Sequence, residues 1–142
     1  MKHKNPASTV DIIIEIDKKI VLIERKFNPL GHAIPGGFID YGESAESAAV
    51  REAKEETGLD VILTDLLYVY SDPSRDPRGH TVSIVYIGES NGIPHAGDDA
   101  EKCFLCDPEK IPDDLVFDHG RILRDYLEYR KTGKRPVPKD FK

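Results

Sequence analysis

Residues 37–59 read Gly-Phe-Ile-Asp-Tyr-Gly-Glu-Ser-Ala-Glu-Ser-Ala-Ala-Val-Arg-Glu-Ala-Lys-Glu-Glu-Thr-Gly-Leu. The pattern is G-x5-E-x7-R-E-U-x-E-E-x-G-U, with U apolar. It is filled by Gly37, Glu43, Arg51, Glu52, Glu55, Glu56 and Gly58, with Ala53 and Leu59 at the apolar positions. Ser44 to Thr57 is dominated by Ala, Glu and Arg, which favour helix. Ser44 is placed to cap its start and Gly58 to end it in a left-handed turn. The apolar side of this helix is small: Ala45, Ala48, Ala49 and Ala53, with Val50 beside them. Such a face lets a helix lie close to a sheet. Glu52, Glu55 and Glu56 stand at i, i+3 and i+4 and share the other face. Each like-charge pair costs roughly 0.2–0.5 kcal/mol, which the Arg51–Glu55 pair offsets only in part. Three carboxylates converging on one site suit a hard divalent cation, Mg²⁺ or Mn²⁺. Just upstream, Pro35-Gly36-Gly37 permits a tight backbone path with a carbonyl aimed at such an ion. A solvated acidic helix accounts for the glutamates, but not for Gly36-Gly37, Glu43, Arg51 and Gly58 at fixed offsets.

The segment resembles the Nudix box, the signature of the Nudix hydrolases, and the resemblance covers nearly the whole chain. It implies an α/β fold, the Nudix-type α/β/α sandwich with a mixed β-sheet. A single domain over 1–142 is expected, with 132–142 a tail that docks or stays mobile. The resemblance further implies metal-assisted hydrolysis of a nucleoside diphosphate linked to another moiety. The metal would be held by Glu52, Glu55, Glu56 and the backbone carbonyl of Gly36. Glu52 and Glu55 would also be catalytic. Nudix enzymes often add an acid from a late loop, as base or extra ligand. Asp98, Asp99 and Glu101 sit where that loop belongs, with Glu101 preferred as the catalytic group and Asp99 second, next to the substrate. A solvated loop accounts equally well for any one of the three.

Composition narrows the partners. The 142 residues carry a net charge of −6, with 39% apolar and 32% charged residues, as in a folded soluble domain. The negative balance argues against a nucleic-acid polymer as partner, whereas a small anionic nucleotide remains compatible once cations are bound. From Arg121 to Lys142 there are eight Lys/Arg and three Asp/Glu. This reads as a solvated helix and tail, or as a subunit or substrate contact; a homodimer is compatible. Cys103 and Cys106 lack the second pair that a structural zinc site needs, so they read as buried cysteines in a reducing cytoplasm. The N-terminus shows no signal peptide, because Asp11 and Glu15 interrupt Val10–Ile16, and no run is long enough for a membrane span.

Along the chain, Thr9–Ile16 and Ile20–Arg25 read as a hairpin turning at Asp17-Lys18-Lys19. Phe38-Ile39 reads as a short strand. Val61–Tyr70, His80–Gly88 and Lys102–Cys106 read as further strands, and Pro108–Pro112 as one helical turn. Asp118 is placed to cap a final helix reaching about Tyr129, with Ile122, Leu123, Tyr126 and Leu127 on its buried side.

The box selects a reaction, and selectivity must come from outside it. Ser71–His80 looks like a loop of the ADP-ribose pyrophosphatase branch, with Pro73 fifteen residues after Gly58. Arg75 and Arg78 would be forked donors to phosphate or ribose oxygens, or solvated arginines of a Pro-rich turn. Arg25 ends a strand pointing at the site, and His32 offers an aromatic face or a satisfied loop histidine. The expected reaction is ADP-ribose to AMP and ribose 5-phosphate. Alternatives are a dinucleotide, a nucleotide sugar or an oxidised nucleotide as substrate, or a non-catalytic nucleotide sensor. The intact Glu52-Glu55-Glu56 set speaks against the sensor.

Overall fold

The computed structural model describes residues 3–97 and 100–138. Seven strands and two helices follow in the order β1 (Ala7–Ile16), β2 (Lys19–Arg25), β3 (His32–Ala33), β4 (Gly36–Phe38), α1 (Ala45–Thr57), β5 (Ile62–Tyr70), β6 (Thr81–Glu89), β7 (Ala100–Cys106) and α2 (His119–Thr132). The sheet runs β3-β2-β1-β6-β5, with β4 added to β1 and β7 to β2. It is mixed: β1 and β6 are parallel over Ala7–Glu15, and the other pairings are antiparallel.

The period-2 pattern of β1 divides the core. Val10, Ile12, Ile14 and Ile16 face one way and pack with Ala48, Ala49 and Ala53 of α1. Ile13 faces the other way, with Leu22, Leu67 and Ile87, and meets Ile122, Leu123 and Tyr126 of α2. The result is the expected α/β/α sandwich. The alanines of α1 are fully buried, whereas Val50 is exposed and takes no part in that face. Ser44 caps α1 by accepting the Ser47 N–H at 3.1 Å, and Gly58 ends it at φ 72°.

Some expectations shift. The β1–β2 turn uses only Asp17 and Lys18, both at positive φ (48° and 65°), so Lys19 already belongs to β2. The short strand is Gly36–Phe38 rather than Phe38-Ile39, because its partner on β1 is Thr9–Asp11. Residues 108–110 form a turn after β7, not a helical turn; the Lys110 N–H closes it onto Asp107 at 2.9 Å. Helix α2 runs on to Thr132, and Asp118 occupies its N-cap position without a side-chain capping bond. Part of the basic C-terminal segment is engaged: Arg130 forks onto Glu15, and Arg135 binds Asp65 and the Leu66 carbonyl of β5. That ties the beginning of the tail down; residues 139–142 lie outside the described residues. Cys103 and Cys106 are free, and they pack towards opposite faces of the sheet. Among the described residues no helix is long and apolar enough to cross a membrane.

The topology opens one site. Strands β1 and β2 pair only near their hairpin, at Glu15–Ile20 and Ile16–Lys19. Beyond it that edge of β2 passes to β3, while β7 runs along the other edge from Ile20 to Arg25, and the first half of β1 pairs instead with β4. The resulting split, with α1 on one side and the start of α2 on the other, is a cavity.

Candidate active site

The cavity has a volume of about 330 Å³ and is walled by β1, β2, β4, α1, the 71–80 loop and the entry to α2. Two box glutamates reach it. Glu52 and Glu56 are 8% and 5% exposed and line it beside Gly36 and Gly37. Gly37 leaves room for the Glu52 carboxylate: a β-carbon on it would overlap that group and push it aside. The carbonyl of Gly36 is directed by strand pairing. Ile12 donates to the Pro35 carbonyl at 2.8 Å and Ile39 to the Ser8 carbonyl at 2.9 Å. By the alternation of an antiparallel ladder, Gly36 and Phe38 turn their carbonyls away from β1. The Phe38 carbonyl is taken by Arg51 Nη2 at 3.0 Å.

Arg51 is the hub of the box. Its Nε and Nη2 fork onto Glu43 at 2.7 and 2.9 Å, and its Nη1 reaches Glu52 at 2.8 Å and Glu55 at 3.2 Å. Glu43 also accepts the Asp40 N–H, which closes the loop before α1. The Arg51 hydrogen bond, helped by that backbone bond, brings the Glu43 carboxyl down to about 2 from an ordinary 4.5. Arg51 in turn is raised, chiefly by Glu43. One cation thus holds the loop, the strand and two glutamates together. Glu55 differs from its neighbours: its side chain is half exposed and does not line the cavity. The three carboxylates therefore do not converge as expected: at about 100° per residue Glu55 stands roughly 60° round the helix from Glu52 and about 100° from Glu56, on the outer side. Among the described residues no group of three or more His, Cys, Asp or Glu side chains is arranged to hold a metal. Cys103 lies near enough to feel Glu56: burial, and then that negative charge, push its thiol up to about 11.

The opposite wall comes from the 71–80 loop, and its two arginines behave differently. Arg75 lines the cavity, but its guanidinium is committed. Nε and Nη2 fork onto Asp118 at 3.0 and 2.7 Å, and Nη1 donates to Thr81 Oγ1 at 2.7 Å. With its side chain only 4% exposed, it braces the loop against the start of α2 rather than reaching out as a forked donor. This is also why Asp118 does not cap α2. Arg78 is more open. Asp76 accepts from its backbone N–H, Nε and Nη2 at 2.8–3.0 Å, and the guanidinium lies 5.5 Å from the Phe38 ring centre and 5.1 Å from that of Phe117. Burial would raise the Asp76 carboxyl, but the Arg78 hydrogen bonds and the charges of Arg78 and Arg75 outweigh it and hold it below its ordinary value. Arg25 also lines the cavity, bonded through Nε to the Pro29 carbonyl at 2.8 Å and 5.1 Å from the same Phe117 ring.

Other expected site residues lie elsewhere. His32 is on β3, bonded to Asp114 and edge-on to Phe104, outside the cavity lining. The pairing of β3 with β2 turns it that way, so it is a satisfied histidine. Glu101 is exposed on β7, not in a loop, and does not line the cavity. It is the extra residue where Ala100 opposes Arg25 and Lys102 opposes Glu24, a bulge that throws its side chain outward. Asp98 and Asp99 lie outside the described residues.

Sequence reading missed the polar floor. Asp11 and His119, 7% and 2% exposed, both line the cavity. His119 Nδ1 accepts the Ile34 N–H at 2.9 Å, so the ring proton sits on Nε2, 3.5 Å from Asp11 Oδ1. Ser83 donates to Asp11 Oδ2 at 2.5 Å. Asp11 lies directly under Gly36, where a β-carbon would overlap it. A signal existed: Asp11 interrupts an otherwise apolar run and so had to be either exposed or paired. Nothing comparable marked His119 or Phe117.

A NUDIX domain model matches residues 5–126. The chain belongs to the NUDIX family. It is 50% identical over 131 residues to an ADP-ribose pyrophosphatase of Methanocaldococcus jannaschii, covering 90% of this chain and 77% of that one. It is 34% identical over 128 residues to a putative 8-oxo-dGTP diphosphatase of Bacillus subtilis, covering 89% and 80%. Among solved structures, a NUDIX hydrolase from Nitrosomonas europaea superposes with a TM-score of 0.84 at 26% identity, over 96% of this chain and 78% of that one. The NUDIX domain of Shewanella oneidensis NrtR, complexed with ADP ribose, superposes at 0.77 and 27% identity, over 92% and 91%. The protein is thus a Nudix hydrolase resembling the ADP-ribose pyrophosphatases, as its box implies.

Proposed function

We propose that this enzyme hydrolyses the diphosphate linkage of ADP-ribose to AMP and ribose 5-phosphate with Mg²⁺ or Mn²⁺ as cofactor. The observation that carries the reading is that Glu52 and Glu56 open into the same polar cavity as Arg78 and the 71–80 loop. Likeness to the M. jannaschii ADP-ribose pyrophosphatase over most of both chains supports the choice of substrate. The donor set suits the cofactor. Mg²⁺ usually takes one or two carboxylates and completes its shell with water and phosphate oxygens. Glu52, Glu56 and the outward carbonyl of Gly36 supply oxygen donors of that kind without a three-carboxylate cluster. When bound, the ion neutralises the diphosphate and lowers the pKa of the attacking water. Arg51 fixes the rotamer of Glu52, and the absent β-carbon of Gly37 leaves room for its carboxylate. Removal of the water proton is assigned to the Glu55 carboxylate, which stands outside the cavity lining but is tied through Arg51 to Glu52, which lines it. Glu101, exposed on β7 with no such tie among the described residues, is not given that task. Arg78 and Arg25 face the substrate. A cytoplasmic location and a homodimer belong to the same proposal; the free cysteines are consistent with the first.

The test is product analysis with Mg²⁺ or Mn²⁺ on ADP-ribose, a dinucleotide, a nucleotide sugar and 8-oxo-dGTP. Preference for ADP-ribose with release of AMP supports the proposal. Preference for 8-oxo-dGTP would instead align the enzyme with its B. subtilis relative. No turnover of any member would sink the reading.

A further inference from the structure

Phe117 belongs neither to the box nor to the 71–80 loop, yet it stands at the centre of the cavity's substrate wall. Its φ is +57°, a left-handed conformation that residues with a bulky side chain rarely adopt. It occupies a turn closed by the His119 N–H on the Val116 carbonyl at 3.2 Å, immediately before α2. A glycine or asparagine would make that turn without strain. Such strain persists when the surrounding structure enforces it, and it concentrates at ligand-binding positions. Here the enforced ring sits 5.1 Å from the guanidinium carbon of Arg25 and 5.1 Å from that of Arg78, with the His119 ring at 5.2 Å. Arg78 is anchored from behind by Asp76 through Nε and Nη2, and its Nη1 makes no hydrogen bond among the described residues. Asp11 and Asp76 line the same cavity as acceptors.

The guanidinium groups of Arg25 and Arg78 both lie over this ring, so it supports two forked donors, and supported donors beside carboxylate acceptors match a polyhydroxyl ring. The hydroxyls of a sugar both donate and accept. We propose that Phe117 is a positioning residue that holds Arg78 against the sugar of the group attached to the nucleoside diphosphate, with Arg78 Nη1 donating to its hydroxyl oxygens. The inference rests on the hydrolase reading for the identity of the other half of the substrate.

The two halves of the expected product separate the alternatives. Binding of ribose 5-phosphate and of AMP is measured independently by calorimetry in Mg²⁺, on wild type, Phe117→Gly, Phe117→Leu and Arg78→Gln. Phe117→Gly relaxes the left-handed turn, so its fold is expected to survive, and thermal melting checks that. Ribose 5-phosphate should bind about tenfold more weakly to each variant, with AMP unchanged. A loss confined to AMP would place the ring on the nucleoside side and overturn the assignment. Equal losses for both ligands, or none for either, would make Phe117 a plain wall residue and overturn it too. A wild type that binds ribose 5-phosphate but does not hydrolyse ADP-ribose defeats the proposed reaction and leaves the sugar site standing. A wild type that binds no ribose 5-phosphate defeats the sugar site whatever it hydrolyses.

Discussion

Replacing Arg75 separates two roles that its sequence context allowed. If it braces the loop, the effect is on stability. Arg75→Ala removes two charge-assisted bonds to Asp118 and one to the buried Thr81 hydroxyl, and withdraws a cation 3.9 Å from Asp11. Breaking a buried ion pair by removing one partner costs about 3–5 kcal/mol. The Asp118 side chain keeps 18% exposure and can recover some hydration, which puts the loss at the lower end of that range. At about 3 kcal/mol, a domain of this size should melt roughly 10 °C lower. Arg75→Lys keeps the charge but cannot fork, so about half of that loss is expected. Removing both partners with apolar residues of similar volume, Arg75→Met with Asp118→Leu, should recover much of it, because no lone charge stays buried. Circular-dichroism melts and Michaelis constants on the same samples decide the matter. A large rise in KM for ADP-ribose with an unchanged melting temperature would refute the bracing role and return Arg75 to the substrate.

Other outcomes follow from the box. Glu52→Gln keeps size and removes a cavity carboxylate, so turnover with Mg²⁺ should fall by about 10²-fold or more while the melting temperature holds; near-normal turnover would dismiss Glu52 as a metal ligand. Gly37→Ala pushes a methyl into the Glu52 carboxylate, and should mimic that loss through displacement rather than charge; an active Gly37→Ala enzyme would show that Glu52 need not lie against β4. Glu55→Gln should lower kcat with unchanged Mg²⁺ affinity, measured by metal titration of the rate, and parallel losses in both would make it a ligand. The Glu43 carboxyl is depressed to about 2, so its clamp on Arg51 contributes fully above about pH 4.5 and is lost as the pH falls towards 2. Glu43→Gln should therefore flatten the melting temperature against pH across that window, and a wild-type slope in the variant would place the acid sensitivity elsewhere.

What the sequence disclosed and what it hid divide along a physical line. Helix α1 was legible to the residue because its determinants are local: Ser44 bonds three residues on, Gly58 takes its own left-handed turn, and the alanines repeat on one face. The β1–β2 hairpin was legible because its strand pattern is local as well, although its turn is one residue shorter than Asp17-Lys18-Lys19. The polar contacts of the cavity are not. Arg75 and Asp118 are 43 positions apart, Ser83 and Asp11 are 72 apart, and His119 answers Ile34 across 85. Nothing near Arg75 in the chain announces that its charge is already matched, so the sequence offers a ligand donor or a solvated turn arginine and neither anticipates the buried brace. Glu101 failed for a related reason: an acid after Gly97 looks like a loop residue until the β2–β7 bulge, a property of two strands together, turns it to solvent.

The same division explains how one fold can serve several substrates. Arg51 gathers Glu43, Glu52, Glu55 and the Phe38 carbonyl within a span of eighteen residues, so the geometry of the proposed metal side is self-contained within the box. The proposed substrate wall is assembled from Arg25 of β2, Asp76 and Arg78 of the 71–80 loop, and Phe117 before α2, which meet only after the sheet has formed. A change at any one of these positions can alter what the cavity accepts without disturbing the Arg51 hub. Selectivity should accordingly respond to Phe117, Arg78 and Asp76, and the rate at saturating substrate to Glu52, Glu55 and Glu56. An Asp76→Asn enzyme, with the Arg78 fork weakened and the box untouched, should lose affinity for ADP-ribose while keeping most of its kcat. A drop in kcat with KM unchanged would mean that the two walls are coupled, and that the box does not act as a separable unit.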